Sequence, residues 1–339
     1  MKYKPLVAGV GLVVMCVGAG FGQTANSSAT QQVEALARVE IANRWGFIDQ
    51  TGKMVIPTQF ESALDFSEGL ASVTVGGKAG FIDKTGKMVI PAQFEGARSF
   101  YEQRAMVNIG GKQSFIDKSG KVIAQFEDID SDFSEHLAVV VIGGKMGFID
   151  TTGKVVIAPQ FEDVGAFFDE RAAVWIGDKL GFIDKTGNLV IPPRFDGTYH
   201  FSEGLANVKI DGKMGLIDKT GKVIIAQLDN AEAFSEQLAP VKMNGKWGFV
   251  DKTGRVVIPT QFEEAREFSE QLAAVKRGSK WGFIDKTGRV VIPAQFQNVG
   301  NFSEQLAPVS ISGKWGFVDK AGKVIIPAQF DTVGAFTKD

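Results

Sequence analysis

One phrase, Gly-Phe-Ile-Asp, recurs along the whole chain and limits what it can fold into. Its first position falls at Gly46, Gly80, Ser114, Gly147, Gly181, Gly215, Gly248, Gly282 and Gly316, at spacings of 34, 34, 33, 34, 34, 33, 34 and 34 residues. A fixed period of this length is the mark of a repeat architecture, in which one supersecondary unit buries its apolar face only against its neighbours. The two short intervals lose a residue near the proline position, at Ile123-Ala124-Gln125 and Ile225-Ala226-Gln227. In phase with Leu36-Ala37, the 339-residue chain holds nine units over 36–339.

Each unit reads as three short strands and a loop. Ala71, Val73 and Val75 alternate with Ser72 and Thr74, the period-two pattern of a half-buried strand. A Gly-Lys pair such as Gly245-Lys246 turns the chain into a second strand, Trp247 to Asp251. Lys252-Thr253-Gly254-Arg255 makes the next tight turn, with Gly254 at its positive-φ position. The third strand, Val256 to Ile258, is expected to end at Pro259, which has no N–H to give to a ladder. Phe262, Ala265 and Phe268 then anchor a loop. A three-stranded meander cannot stand alone, so the units must stack. The fold class predicted is all-β, an open superhelical solenoid of nine such meanders, with a closed propeller-like ring as the alternative. The solenoid is preferred because the chain begins and ends on one unit boundary, and because 34 residues are lean for a four-stranded blade.

The N-terminus reads as a secretory leader over residues 1–22. Lys2 and Lys4 precede an apolar core from Leu6 to Val17, shorter than the ~20 residues of a membrane span, and small residues lead to Gln23. Residues 23–35 read as a flexible lead or cap. The expected location is secreted or periplasmic, with no membrane span after cleavage. Cys16 is the one cysteine and lies in the leader, so no disulfide framework is expected. With net charge −2 and no basic run, nucleic acid is not an expected partner.

Several repeated groups imitate catalytic motifs. Asp251-Lys252-Thr253-Gly254 has the look of a phosphorylated or protease aspartate, but its Asp occurs in all nine units (Asp49, Asp83, Asp117, Asp150, Asp184, Asp218, Asp251, Asp285 and Asp319). That count fits a carboxylate that accepts backbone N–H groups in the turn it opens. The recurrent acid of Phe-Ser-Glu, read at Glu68, Glu102, Glu135, Glu170, Glu203, Glu236, Glu270 and Glu304, fits a hydrogen-bonding element of the stack. The turn lacks a Ca²⁺ ladder, and His136 and His200 are the only histidines, so neither metal nor cofactor is expected.

Departures from the consensus are where individual function can lie. The candidate ligand-binding residues are Trp175, Arg98, Tyr101, Arg104, Arg171, Arg194, Tyr199 and His200, in units two to five. Trp175 stands on the variable face of its strand, and aromatics flanked by arginines suit sugar faces and anionic groups. No catalytic residue is assigned. The function expected is a non-catalytic extracytoplasmic binding or scaffold protein for protein or glycan partners. The alternatives are a cell-envelope carbohydrate-binding protein and a glycan-acting hydrolase using non-repeated acids such as Asp128, Asp130, Asp132, Asp163 and Asp169.

The run from Gly245-Lys246-Trp247-Gly248-Phe249 to Ile258-Pro259, with the later Phe-Ser-Glu-Gln-Leu-Ala, resembles the WG (KWG) repeat of bacterial proteins over about residues 36–339. Ala79, Gln113, Met146, Leu180 and Met214 stand where the tryptophan would be in the other five units, and Ser114 replaces the glycine. The resemblance implies a bacterial source and a β-repeat fold, and brings no catalytic motif.

Overall fold

The computed structural model describes residues 35–338. The leader and most of the lead segment lie outside the described residues. Among the described residues no helix is long and apolar enough to cross a membrane.

Nine antiparallel sheets form a closed nine-bladed β-propeller, which overturns the open solenoid of three-stranded units. Blade 2 shows the plan. A short axial strand, Ser62–Ala63, pairs with Leu70–Val75, which pairs with Lys78–Asp83, which pairs with the outer strand Met88–Phe94. The axial strand is the segment read from sequence as an anchored loop. It carries only two ladder residues in most blades, too few to show a period-two pattern. One residue, Glu95, links the outer strand of blade 2 to the axial strand Gly96–Ala97 of blade 3. That short crossing fits four strands into 34 residues. In blade 5 the axial strand shrinks to a bridge between Val164 and Val174.

Ring closure joins the two ends of the chain. The axial strand of blade 1 is Thr332–Val333, which pairs with Ala37–Ile41 through Val39↔Val333 and Glu40↔Thr332. Leu36 and Thr337 exchange backbone hydrogen bonds of 3.2 and 3.0 Å. The solenoid argument fails because the boundary shared by both ends is the cut in blade 1, not the free end of a stack.

Packing between blades explains the excess of Phe. The Phe of Gly-Phe-Ile-Asp in one blade meets the axial Phe of the next, as in Phe47–Phe66, Phe81–Phe100 and Phe249–Phe268, with ring centroids 4.8–4.9 Å apart and tilted. Such tilted pairs satisfy the ring quadrupole. Phe317 of blade 9 closes the series on Phe336 of blade 1 at 4.8 Å. Leu216 breaks it between blades 6 and 7.

The outer strand runs past its proline: Val256–Phe262 stays in the sheet. Its neighbour advances two residues, from Trp247 to Phe249, while it advances four, from Phe262 back to Ile258. Pro259 therefore sits in a bulge on an edge strand, where a missing N–H costs nothing. The bulged backbone lies on Gly248, whose added Cβ would fall 2.5 Å from the Ile258 carbonyl oxygen.

The strands paired with the axial ones, such as Leu70–Val75, turn most of their variable face into the ring, and Lys209 is exposed at its outer end. Both sides pack against neighbouring blades, so Met106, Val139 and Ala274 are buried there. Polar residues at that position reach the next axial strand. Arg38 Nη1 donates to Ala63 O at 2.7 Å and Asn207 Nδ2 to Ala231 O at 2.9 Å.

The repeated aspartates build the turns, as their count suggests. Asp251 Oδ1 accepts from the Thr253 hydroxyl at 2.6 Å and from the Thr253 and Arg255 N–H groups. Those bonds, the hydroxyl's first, hold its pKa down at about 2. Asp117, Asp150, Asp184, Asp218 and Asp285 are lowered in the same way. A depressed carboxylate contributes stability above its unfolded pKa and loses it as pH falls through the folded value. Urea midpoints are therefore expected to hold steady above pH 5 and drop between pH 4 and 2. Asp→Asn in several turns at once should flatten that drop, and an unchanged acid profile would contradict the assignment.

Candidate functional site on the turn face

The turns after the axial strands and the Asp-Lys-Thr-Gly turns lie on one face of the ring. There the sequence builds two circular hydrogen-bond systems. The Ser of Phe-Ser-Glu donates to the Phe carbonyl of the next axial strand: Ser67 to Phe100 at 2.6 Å, Ser235 to Phe268 at 2.7 Å, Ser303 to Phe336 at 2.7 Å. These direct contacts between the segments that follow consecutive axial strands mark the narrow, axial end of the blades. Ser134, Ser202 and Ser269 make the same bond.

The acid that follows has positive φ and accepts a backbone N–H from the next blade. Glu68 takes that of Gln103 at 2.9 Å, and Glu270 that of Gln305 at 3.0 Å. A lysine from the Asp-Lys-Thr-Gly turn of that next blade pairs with it, as in Lys118–Glu68 at 3.2 Å and Lys286–Glu236 at 3.0 Å. The recurrent Glu is thus a hydrogen-bonding and ion-pairing element of the ring. In blade 5 that role belongs to Asp169, which accepts the Gly204 N–H at 2.5 Å, rather than to Glu170 one residue later.

Blades 3 and 5 break the Ser system, and the turn of blade 4 breaks the lysine pairing. Tyr101 and Phe168 stand at the Ser position, forfeit the bond to the next blade, and are 47% and 37% exposed. The Phe168 ring lies 4.3 Å from the His200 ring of blade 6, and burial lowers the His200 pKa. In blade 4, Thr151 replaces the turn lysine. Glu102 faces it and accepts the His136 N–H at 2.7 Å, with His136 Nδ1 3.3 Å away. Arg104 Nε donates to Thr151 O at 2.8 Å. Glu68, Glu102, Gln103, Arg104, His136 and Thr151 line a depression of about 410 Å³.

The residues singled out from sequence divide between this arc and other places. Tyr101, Arg104 and His200 lie on it, and Arg171 takes the place in blade 5 that Arg104 has in blade 3, donating to Glu170 O at 2.9 Å. Arg98 directly follows the axial strand Gly96–Ala97 and pairs with Asp132 at 3.6 Å. Tyr199 belongs to the axial strand Gly197–Ser202. Arg194 is far out, on the outer strand, donating to Gly221 O with its guanidinium 5.0 Å from the Phe195 ring centroid. Trp175 is half-buried in the core between blades, against Leu180, Phe195 and Phe201. Phe168, Glu102, His136 and Thr151 were not among the candidates. Their signal was in the sequence, as Phe-Phe-Asp in place of Phe-Ser-Glu and Asp-Thr-Thr-Gly in place of Asp-Lys-Thr-Gly. Of the non-repeated acids, burial raises the pKa of Asp132, and burial with the Asp163 and Asp128 charges raises that of Asp130.

The WG containing repeat matches the chain nine times in tandem, at 45–78, 80–112, 114–145, 146–179, 181–213, 214–247, 247–281, 281–315 and 315–339. The chain belongs to the WG repeat family. In this WG propeller the motif has a physical meaning: the Trp packs against the next blade, and the Gly yields to the bulged outer strand. No curated protein matches the chain by sequence. Among solved structures it is similar to a eukaryotic initiation factor at 12% identity, covering 88% of this chain and 97% of that one, with a TM-score of 0.64. It is also similar to the dihydro-heme d1 dehydrogenase NirN at 11% identity, covering 90% and 75%, with a TM-score of 0.48. At such identities the likeness concerns the fold alone.

Proposed function

We propose that this WG propeller is a non-catalytic carbohydrate-binding protein of the bacterial cell envelope, engaging glycan with the arc of blades 3 to 6. One observation carries the reading. At Tyr101 and Phe168 the ring gives up a hydrogen bond, each worth about 1 kcal/mol, and displays an aromatic face to solvent instead. Tyr101, bridged to Arg104 and next to Glu102, and Phe168 against His200 suit a sugar, which offers an apolar face and a rim of hydroxyls. The leader-like N-terminus supports a location outside the cytoplasm.

The test replaces both aromatics by the residue of the sibling blades. Tyr101→Ser/Phe168→Ser is expected to hold or raise the melting temperature, because the Ser bonds can form. It should weaken binding on an envelope-glycan array at least tenfold. Equal glycan binding by both proteins would refute the proposal. A protein-scaffold reading is favoured by the opposite face, where the hairpin tips leave Ile41, Val75, Ile142, Ile176 and Ile311 exposed. Pull-down from envelope extract with polar substitutions at these tips addresses it.

A further inference from the structure

A second concavity, of about 480 Å³, lies away from that arc, at the axial ends of blades 8, 9 and 1. It exists because two successive blades lack a side chain at one position of the axial strand. In blade 8 that position holds Arg266, whose guanidinium lies 5.1 Å from the Trp281 ring centroid, with Lys276 Nζ 5.8 Å from the same ring. In blade 1 the Trp45 ring is likewise covered, by Arg38 at 5.1 Å. Blade 9 has Gly300 where Arg266 would be and Ser310 where Lys276 would be, so Trp315 is left half-buried at the pocket wall. Blade 1 has Gly334 at the equivalent place.

Gly300 is enforced by a rigid proline ring, and Gly334 is crowded by two side chains. A Cβ on Gly300 would lie 2.5 Å from Pro308 Cγ, and one on Gly334 would collide with the Asp65 carboxylate and with Arg38. On its blade 9 side the opening is therefore a fixed feature of the ring.

The lining specifies a ligand chemistry. Trp315, Pro308 and Val299 supply an apolar wall. Asn301 donates through Nδ2 to Glu267 Oε1 at 2.6 Å, while its Oδ1 is buried with no partner. A buried acceptor without a donor costs free energy that a ligand hydroxyl would recover. Arg266 at the pocket wall contributes N–H donors and a positive charge, and the Glu267 carboxylate held by Asn301 contributes a negative one, so the seam carries one charge of each sign. A neutral molecule fits that balance better than an ion, and the volume is that of a small-molecule site.

We infer that this seam pocket holds one neutral pyranose unit. One sugar face lies on Trp315, a hydroxyl donates to Asn301 Oδ1, and a sugar oxygen accepts from Arg266. The inference goes beyond the glycan surface of blades 3 to 6 and does not depend on it.

The experiment titrates the full chain with methyl glycosides of glucose, galactose, mannose and N-acetylglucosamine, and with methyl glucuronide as the charged comparison. Binding is read by saturation-transfer NMR and tryptophan fluorescence. At least one neutral glycoside is expected to bind in the millimolar range or tighter, and the glucuronide at least tenfold more weakly. Trp315→Leu and Asn301→Ala should each weaken that binding at least tenfold. Because Trp315 also packs between blades, the Asn301 variant is the deciding one; it loses its bond to Glu267, so its binding is read with circular dichroism confirming the folded ring at the temperature of the titration. Tyr101→Ser/Phe168→Ser should leave this binding intact, which separates failure here from failure of the glycan surface. The inference is overturned by no neutral glycoside binding, by equal binding of the glucuronide, or by full binding in Asn301→Ala.

Discussion

A chain ending at Phe330 is expected to lose most of its stability, although it gives up only nine residues. Those residues supply the axial strand of blade 1. The loss removes the Val39 and Glu40 pairings, the double hydrogen bond between Leu36 and Thr337, and the Asp331 carboxylate that accepts the Ala42 N–H at 3.1 Å. It also removes Phe336, fully buried against Phe317 and within the core shared by Leu306, Ile326, Ala37 and Ile48. A Phe truncated to Ala in a packed core costs ~3–5 kcal/mol, before any loss from the open seam. In an open solenoid the same deletion would trim one terminal unit and leave the rest standing. In a ring it exposes two blade faces at once. Urea unfolding followed by circular dichroism should show a midpoint far below that of the full chain, and Phe336→Ala alone should cost at least as much as Phe302→Ala inside the ring. A truncated chain melting within a degree or two of the full one would contradict closure by these residues.

Gly282→Ala is expected to cost about 3 kcal/mol, as overpacking without relief does. The new Cβ would lie 2.5 Å from Ile292 O and 2.7 Å from Ala294 N, and both are backbone atoms that cannot rotate away. Blade 3 shows what relief looks like. There Ser114 takes the glycine's place and is fully buried, its Oγ accepting from Gln125 Nε2 at 3.1 Å. Its outer strand is shorter, and Gln113 to Phe115 is matched by an equal step from Phe126 to Ala124, so no bulge presses on it. Blade 6 is intermediate: one residue of bulge remains, and the nearest atom to a Gly215 Cβ is 2.9 Å away. Removing Pro293-Ala294 together with Gly282→Ser should therefore recover part of the stability that Gly282→Ser alone loses. Gly282→Ala with an unchanged unfolding midpoint, or no recovery in the shortened variant, would sink the explanation.

The arc of blades 3 to 6 was half legible beforehand. Tyr101, Arg104, Arg171 and His200 stood out because they break a repeat, and the fold sets them around one sector of one face. Trp175 and Arg194 stood out equally. They lie in a core between blades and on the outer rim, because an unusual residue announces a difference without telling which surface its strand presents. Phe168 and Thr151 were passed over because they are ordinary residues. They matter only once the Ser bond and the Lys pair they replace are known.

By itself the sequence determined the unit. Alternation in Ala71-Val73-Val75, the turn built by Asp251 and Gly254, and nine copies of both are local facts, and local sterics and hydrogen bonding suffice to read them. Tertiary structure decided how the units meet. The axial strand is too short to carry a pattern, so it read as loop. Whether nine sheets climb or close depends on the angle at which each packs on the next. That angle is set by contacts such as Phe47 on Phe66 and Gly52 on Ile326, and by a pairing of Val39 with Val333 across nearly the whole chain. No periodicity along the chain encodes a contact of that kind; it exists only once the ring has closed.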